Sequence, residues 1–128
     1  MIRSMLYATD LGAYAPYTLQ HALVLARTFD AELHVVHVVE PMGLFAESEL
    51  GEGHEDLALI RSVRVVQGDP SNVILDQARL LSVDLLVVGS RSHGGEGDTP
   101  IGRTAARVLQ LSDVPVYMVP MLHRRTSG

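Results

Sequence analysis

The chain has no cysteine and no tryptophan, and only 5% of its 128 residues are aromatic. Without cysteine there are no disulfides, no thiolate metal sites and no cysteine nucleophile. Positive charge is also short: ten Lys and Arg stand against fifteen Asp and Glu, a net charge of −5. A nucleic-acid binder needs a basic stripe, so that class is disfavoured. Arg124 and Arg125 lie in a polar tail and form no patch. No apolar run approaches the ~18 residues of a membrane span. The opening "MIRSMLYATD" has no signal-peptide layout, since its short apolar run ends at Asp10. The expectation is a soluble cytoplasmic protein with neither a nucleic-acid nor a membrane partner. With aromatics scarce, Leu, Val, Ile and Ala must fill the core, which suits a parallel sheet.

What is present supports one compact domain, with 47% hydrophobic residues and little room for a second domain. "MLYATD" at 5–10 reads as a first strand. Residues 15–30 place Leu19, Ala22, Leu23 and Ala26 at helical spacing, with Pro16 in the first turn. Valine-rich 31–41 reads as a second strand ended by Pro41. A third strand is expected over 62–69, with polar residues outward and valines inward, followed by a helix over 70–83. The continuously apolar 83–90 reads as a strand buried on both faces; a helix at 102–112 and a strand at 114–120 complete the chain. Strands alternating with helices imply βαβ units and a parallel sheet. The twenty residues between Pro41 and Ser62 are a short crossover. Glycine and acidic residues dominate about 46–54, which predicts a mobile stretch there.

The segment "VDLLVVGSRSHGGEGDTPIGRTAARVL" at 83–109 runs from strand through glycines into a helix, the usual backbone cradle for phosphate. Together with "YATD", "LHVVHVVEP", "VVQGDPSNVILDQA", "DLLVVGSRSHGG" and "VPVYMVP", in that order and spacing, it resembles the universal stress protein family. The resemblance covers the whole domain, taken as 1–123 with a polar tail at 124–128. It implies an α/β fold with an open five-stranded parallel sheet, order 3-2-1-4-5, helices on both faces, similar to the adenine-nucleotide alpha hydrolases. Ligands in such sheets sit beyond the carboxyl ends of the strands, where the order reverses.

Nucleotide-binding members of that family carry G-x2-G-x9-G-[ST]. Gly89 and Gly102 match its first and last glycines, but Ser92 replaces the second, and Arg103 stands at the Ser/Thr position with Thr104 one place late. If position 92 needs a positive φ, serine is strained there by ~1–2 kcal/mol. Arg103 keeps a backbone N–H at the helix start and adds a guanidinium suited to phosphate. Glu96 and Asp98 bring negative charge into the loop, or help to hold a magnesium ion. The resemblance places Asp10 at the ribose, and Ala8 and Val38 beside adenine. The implied nucleotide-binding set is Ala8, Thr9, Asp10, Val38, Gly89, Arg91, Ser92, Gly102, Arg103 and Thr104, with ATP, alone or with magnesium, as ligand. Asp10 is alternatively a turn cap, and Val38 alternatively plain core.

Other chemistry is weaker. His34 and His37, three apart on a strand, point to opposite faces and cannot chelate together; no metal site is expected. Ser90, Ser92 and His93 form no nucleophile elbow and no oriented triad, so no enzyme is expected and no catalytic residue is assigned. Two readings stay open. One is a regulatory module that binds adenine nucleotide, with weak ATP hydrolysis left open. The other is a nucleotide-independent stress-response interaction protein using the altered loop as a partner surface. Both carry a homodimer, since the fifth strand is an apolar sheet edge that needs cover. The resemblance implies antiparallel pairing of Val116, Tyr117, Met118 and Val119 with their symmetry mates.

Overall fold

The computed structural model describes residues 1–9, 15–39, 60–90 and 102–120. The expected mobile stretch near 46–54 and the polar tail at 124–128 lie outside the described residues. The elements are β1 (Ser4–Thr9), α1 (Ala15–Phe29), β2 (Glu32–Val39), β3 (Ile60–Gln67), α2 (Pro70–Leu80), β4 (Leu85–Gly89), α3 (Arg103–Leu111) and β5 (Val116–Val119). The strands form one sheet in the order β3-β2-β1-β4-β5, every pair parallel. All eight expected elements are present, most of them a residue or more shorter than the sequence pattern suggested.

Strand alternation divides the core between two faces. On one face Met5, Tyr7, Leu33, Val35, Leu85, Val87 and Val119 meet Leu19, Ala22, Leu23 and Ala26 of α1. On the other, Leu6, Val36, Val38 and Leu86 meet Val73, Ile74, Leu75 and Ala78 of α2 and Val108 of α3. The continuous run Leu85 to Val88 in β4 is buried throughout, as expected of a strand covered on both sides.

Local chemistry sets the turns. Gly68 has φ +150, and a Cβ there would lie 2.9 Å from Val73 Cγ2, so the turn into α2 requires glycine. Asp69 then caps α2, its carboxylate accepting from the Asn72 amide at 3.2 Å, and Pro70 occupies the first turn. Helices α1 and α2 both end in a left-handed residue, Asp30 (φ 59) and Ser82 (φ 53). The amide of Ala31 returns to the Ala26 carbonyl at 2.9 Å and that of Val83 to Ala78 at 3.1 Å, the Schellman closure.

One expectation is reversed. In β3 the valines were to face inward, yet Val63 is 49% and Val65 52% exposed, while Ser62, Arg64 and Val66 are half-buried. Strand β3 is the sheet edge. Its register puts Ser62, Arg64 and Val66 beside His34, Val36 and Val38, on the side where α2 packs. Helix α1 packs on β1, β2 and β4, so among the described helices none shields Val63 and Val65.

Candidate functional site

The two neighbours of β1 leave it at different points. Pairing with β2 continues to Thr9↔His37. Pairing with β4 ends at Tyr7↔Val87, while β4 goes on with β5 to Gly89↔Val119. The sheet therefore splits at its carboxyl end, with Ala8 and Thr9 on one lip and Val88 and Gly89 on the other. This is where the strand order reverses, the position at which open α/β sheets bind ligands.

Polar groups gather at the split. Thr9, Thr18, His37 and Ser90 are all buried there or just behind it. The Tyr7 hydroxyl bonds the Thr18 hydroxyl, tying α1 to β1. His37 Nδ1 lies 3.2 Å from the Thr9 carbonyl oxygen. Buried polar side chains have a cost unless bonded, and three of those in the sheet or at its strand ends, Thr9, His37 and Ser90, lie toward the carboxyl end.

Helix α3 starts beside the β4 lip. Gly102 is its N-cap, with φ −74 and ψ 168 and no side-chain cap bond. Its φ is one that any residue adopts, so what glycine offers here is bare backbone. The Gly102 amide donates to the Ser90 carbonyl at 2.6 Å, and the Ser90 amide donates to the Val119 carbonyl at 2.8 Å. The first-turn amides of a helix have no intrahelical partner and carry its positive dipole end. Here that end is fixed to the end of β4, and the glycine cap itself supplies no side chain to it, an arrangement suited to an anion.

Of the expected nucleotide set, Ala8, Thr9, Gly89, Gly102, Arg103 and Thr104 come to the two lips and the α3 start. Arg103 is exposed there, and Ala8 and Thr104 are half-buried. Val38 lies one residue past the last β1–β2 pair and is buried in the core on the α2 side, so its plain packing role is real. Asp10, Arg91 and Ser92 lie outside the described residues. So do His93, Glu96 and Asp98. Reading by sequence missed Tyr7 and Thr18, weighed Ser90 only as a nucleophile, and weighed His37 only as a metal ligand. The available signal for His37 was a polar residue in the middle of the valine run "HVVHVV".

The two histidines of β2 do face opposite ways. His34 Nδ1 pairs with Ser62 Oγ at 2.7 Å on the α2 face. Burial holds the His34 pKa below the ordinary histidine value; the Glu32 carboxylate opposes that, and Arg61 and Arg64 add to it. Among the described residues no three His, Asp or Glu side chains come together to hold a metal ion. No described helix is long and apolar enough to cross a membrane.

Comparison with known proteins agrees with this geometry. The Universal stress protein family model matches residues 1–61 and 54–120. A universal stress protein of Methanocaldococcus jannaschii is 28% identical over 93% of this chain and 82% of its own length. Among solved structures, UspA from Lactobacillus plantarum superposes with TM-score 0.74 at 18% identity, covering 92% of this chain and 97% of that one. A universal stress protein in complex with cAMP gives TM-score 0.67 at 20% identity, with 92% and 96% covered. One from Archaeoglobus fulgidus in complex with dAMP gives 0.61 at 19%, with 93% and 98% covered. With the family model spanning nearly the whole chain and the sheet order matching, the chain belongs to the universal stress protein family.

Proposed function

We propose that this protein is a regulatory module of the cytoplasm that binds an adenine nucleotide, ATP in particular, at the split carboxyl end of its sheet, and that it is not an enzyme. The observation that carries the reading is the glycine-capped α3 N-terminus stapled to β4 through Gly102 and Ser90, at the end of the sheet where β1 and β4 part after Tyr7↔Val87. Phosphate suits the helix end, and the bare backbone at Gly89 and Gly102 leaves room for it to approach. Base and ribose suit the β1 lip. Solved relatives hold dAMP and cAMP, which favours an adenine ligand. The described lips present no nucleophile with an aligned base, which favours binding over turnover.

Thermal denaturation with ATP and magnesium tests this. At about 100 times its dissociation constant the nucleotide adds ~2.7 kcal/mol of stability. Asp10→Ala diminishes the shift, and Ser92→Gly with Arg103→Ser enlarges it. No shift at millimolar ATP in either the parent or the restored loop overturns the reading. In that case the protein is a nucleotide-independent interaction module, a role favoured by the Ser92 and Arg103 departures.

The same proposal includes a homodimer through β5. That strand pairs only with β4, so its outer edge is the sheet's edge. Val116, Tyr117 and Met118 are half-buried in the single chain, whereas the Val119 side chain is wholly inside the core and would contribute only backbone. Met118→Asp should convert the dimer to monomer or unfold it, read by sedimentation at micromolar concentration. A parent that sediments as a stable monomer contradicts the pairing.

A further inference from the structure

His37 bridges the two strands whose ends form the β1 lip. Its side chain lies on the α1 face, is buried, and brings Nδ1 to 3.2 Å from the Thr9 carbonyl oxygen. A carbonyl can only accept, so Nδ1 is the donor in this bond. At Thr9 β1 is still paired with β2, whereas its described pairing with β4 ends at Tyr7↔Val87. The His37 bond is thus a side-chain tie between β2 and the last described residue of β1. It also fixes Ala8 and Thr9 relative to Val38, the residue that follows His37.

We propose that His37 is a positioning residue for base recognition: it sets the backbone of Ala8 and Thr9 against Val38, so that discrimination between purine bases depends on it. This rests on the nucleotide-binding reading above. Backbone groups tell one base edge from another only when they are held in place, since a site that relaxes can satisfy the wrong donor and acceptor pattern. A purely structural histidine would alter stability and leave the ratio of affinities for two bases unchanged.

The test is calorimetric titration of the full chain with ATP and with GTP, for the parent, His37→Asn, His37→Gln and His37→Leu. Asparagine places an amide N–H near the position of Nδ1; glutamine places it farther out, and leucine supplies none. The expected result is preference for ATP in the parent, retained in His37→Asn. In His37→Gln and His37→Leu, ATP affinity falls by about three- to tenfold, the worth of one hydrogen bond, and the ATP:GTP ratio shrinks toward one. If His37→Leu does not fold, the contrast between asparagine and glutamine decides. Nucleotide binding with an unchanged ratio in His37→Gln overturns this inference alone. A parent that binds neither nucleotide overturns the function reading and this inference with it.

Discussion

The two ends of the sheet are built in opposite ways. At the amino end the strands are sewn together. The Asp84 carboxylate, just before β4, accepts from the amides of Arg3 at 2.9 Å and Ser4 at 3.1 Å, and the Asp84 amide donates to the Ser4 carbonyl at 2.7 Å. The Glu32 amide donates to the Arg3 carbonyl at 2.9 Å from the other side. Strand β1 is thus gripped by both neighbours as it enters. At the carboxyl end it keeps only β2, and polar side chains take over from aliphatic ones. One end spends its hydrogen bonds on closing the sheet, while at the other the described pairing of β1 with β4 stops at Tyr7↔Val87. The closed end and the proposed binding end are separated by the length of a strand.

Breaking the closed end should therefore cost stability without touching recognition. Asp84→Ala removes a charged acceptor shared by two amides and should destabilise by about 2 kcal/mol, read as a lower urea midpoint. Nucleotide affinity at the far end should be unchanged, and a large loss of affinity would show that the two ends are coupled.

Acid should loosen the edge strand by a smaller amount. The folded-state pKa of His34 lies below its ordinary, unfolded value. Below that ordinary value, near 6.5, the unfolded chain takes up the proton more readily than the folded one. The His34 contribution is thus fully present above the ordinary histidine range and is lost as pH falls through it. Melting temperature followed from pH 7.5 to 5 should fall less steeply in His34→Asn, which keeps a partner for Ser62 and removes the titration. Equal slopes would assign the acid sensitivity to other groups.

The smallest effect is expected at Ser82, which closes α2 in the left-handed region just ahead of the amino-end seam. Glycine relieves that strain but adds freedom to the unfolded chain. Ser82→Gly should gain about 0.5 kcal/mol, measurable as a small rise in the denaturation midpoint.

The frame was legible in the sequence because each element carries a local signal. The spacing of Leu19, Ala22, Leu23 and Ala26 gives α1, Pro70 gives the start of α2, and the unbroken run at 85–88 gives a strand covered on both sides. The facing of β3 was not legible. Valines 63 and 65 share one parity and Val66 the other, and the register shift between Leu33 and His34 resets which residues sit beside β2. Which side of an edge strand is covered depends on how far neighbouring helices reach, and that information is not in the strand. At the site, Gly89 and Gly102 announced a turn before a helix. The split between β1 and β4 is a matter of where pairing stops, and no residue marks it. His37 was visible as a polar interruption, but its partner is a backbone carbonyl on another strand, which no side-chain motif encodes.

The staple between Ser90 and Gly102 has a consequence for how such proteins diverge. It joins the residues that flank 91–101 through backbone groups, so a side-chain change within that stretch leaves the donor and acceptor of this bond in place. Once its ends are held, even doubling such a segment costs only about 0.6 kcal/mol. A substitution such as Ser92→Gly therefore leaves that closure in place, and so does its reversal.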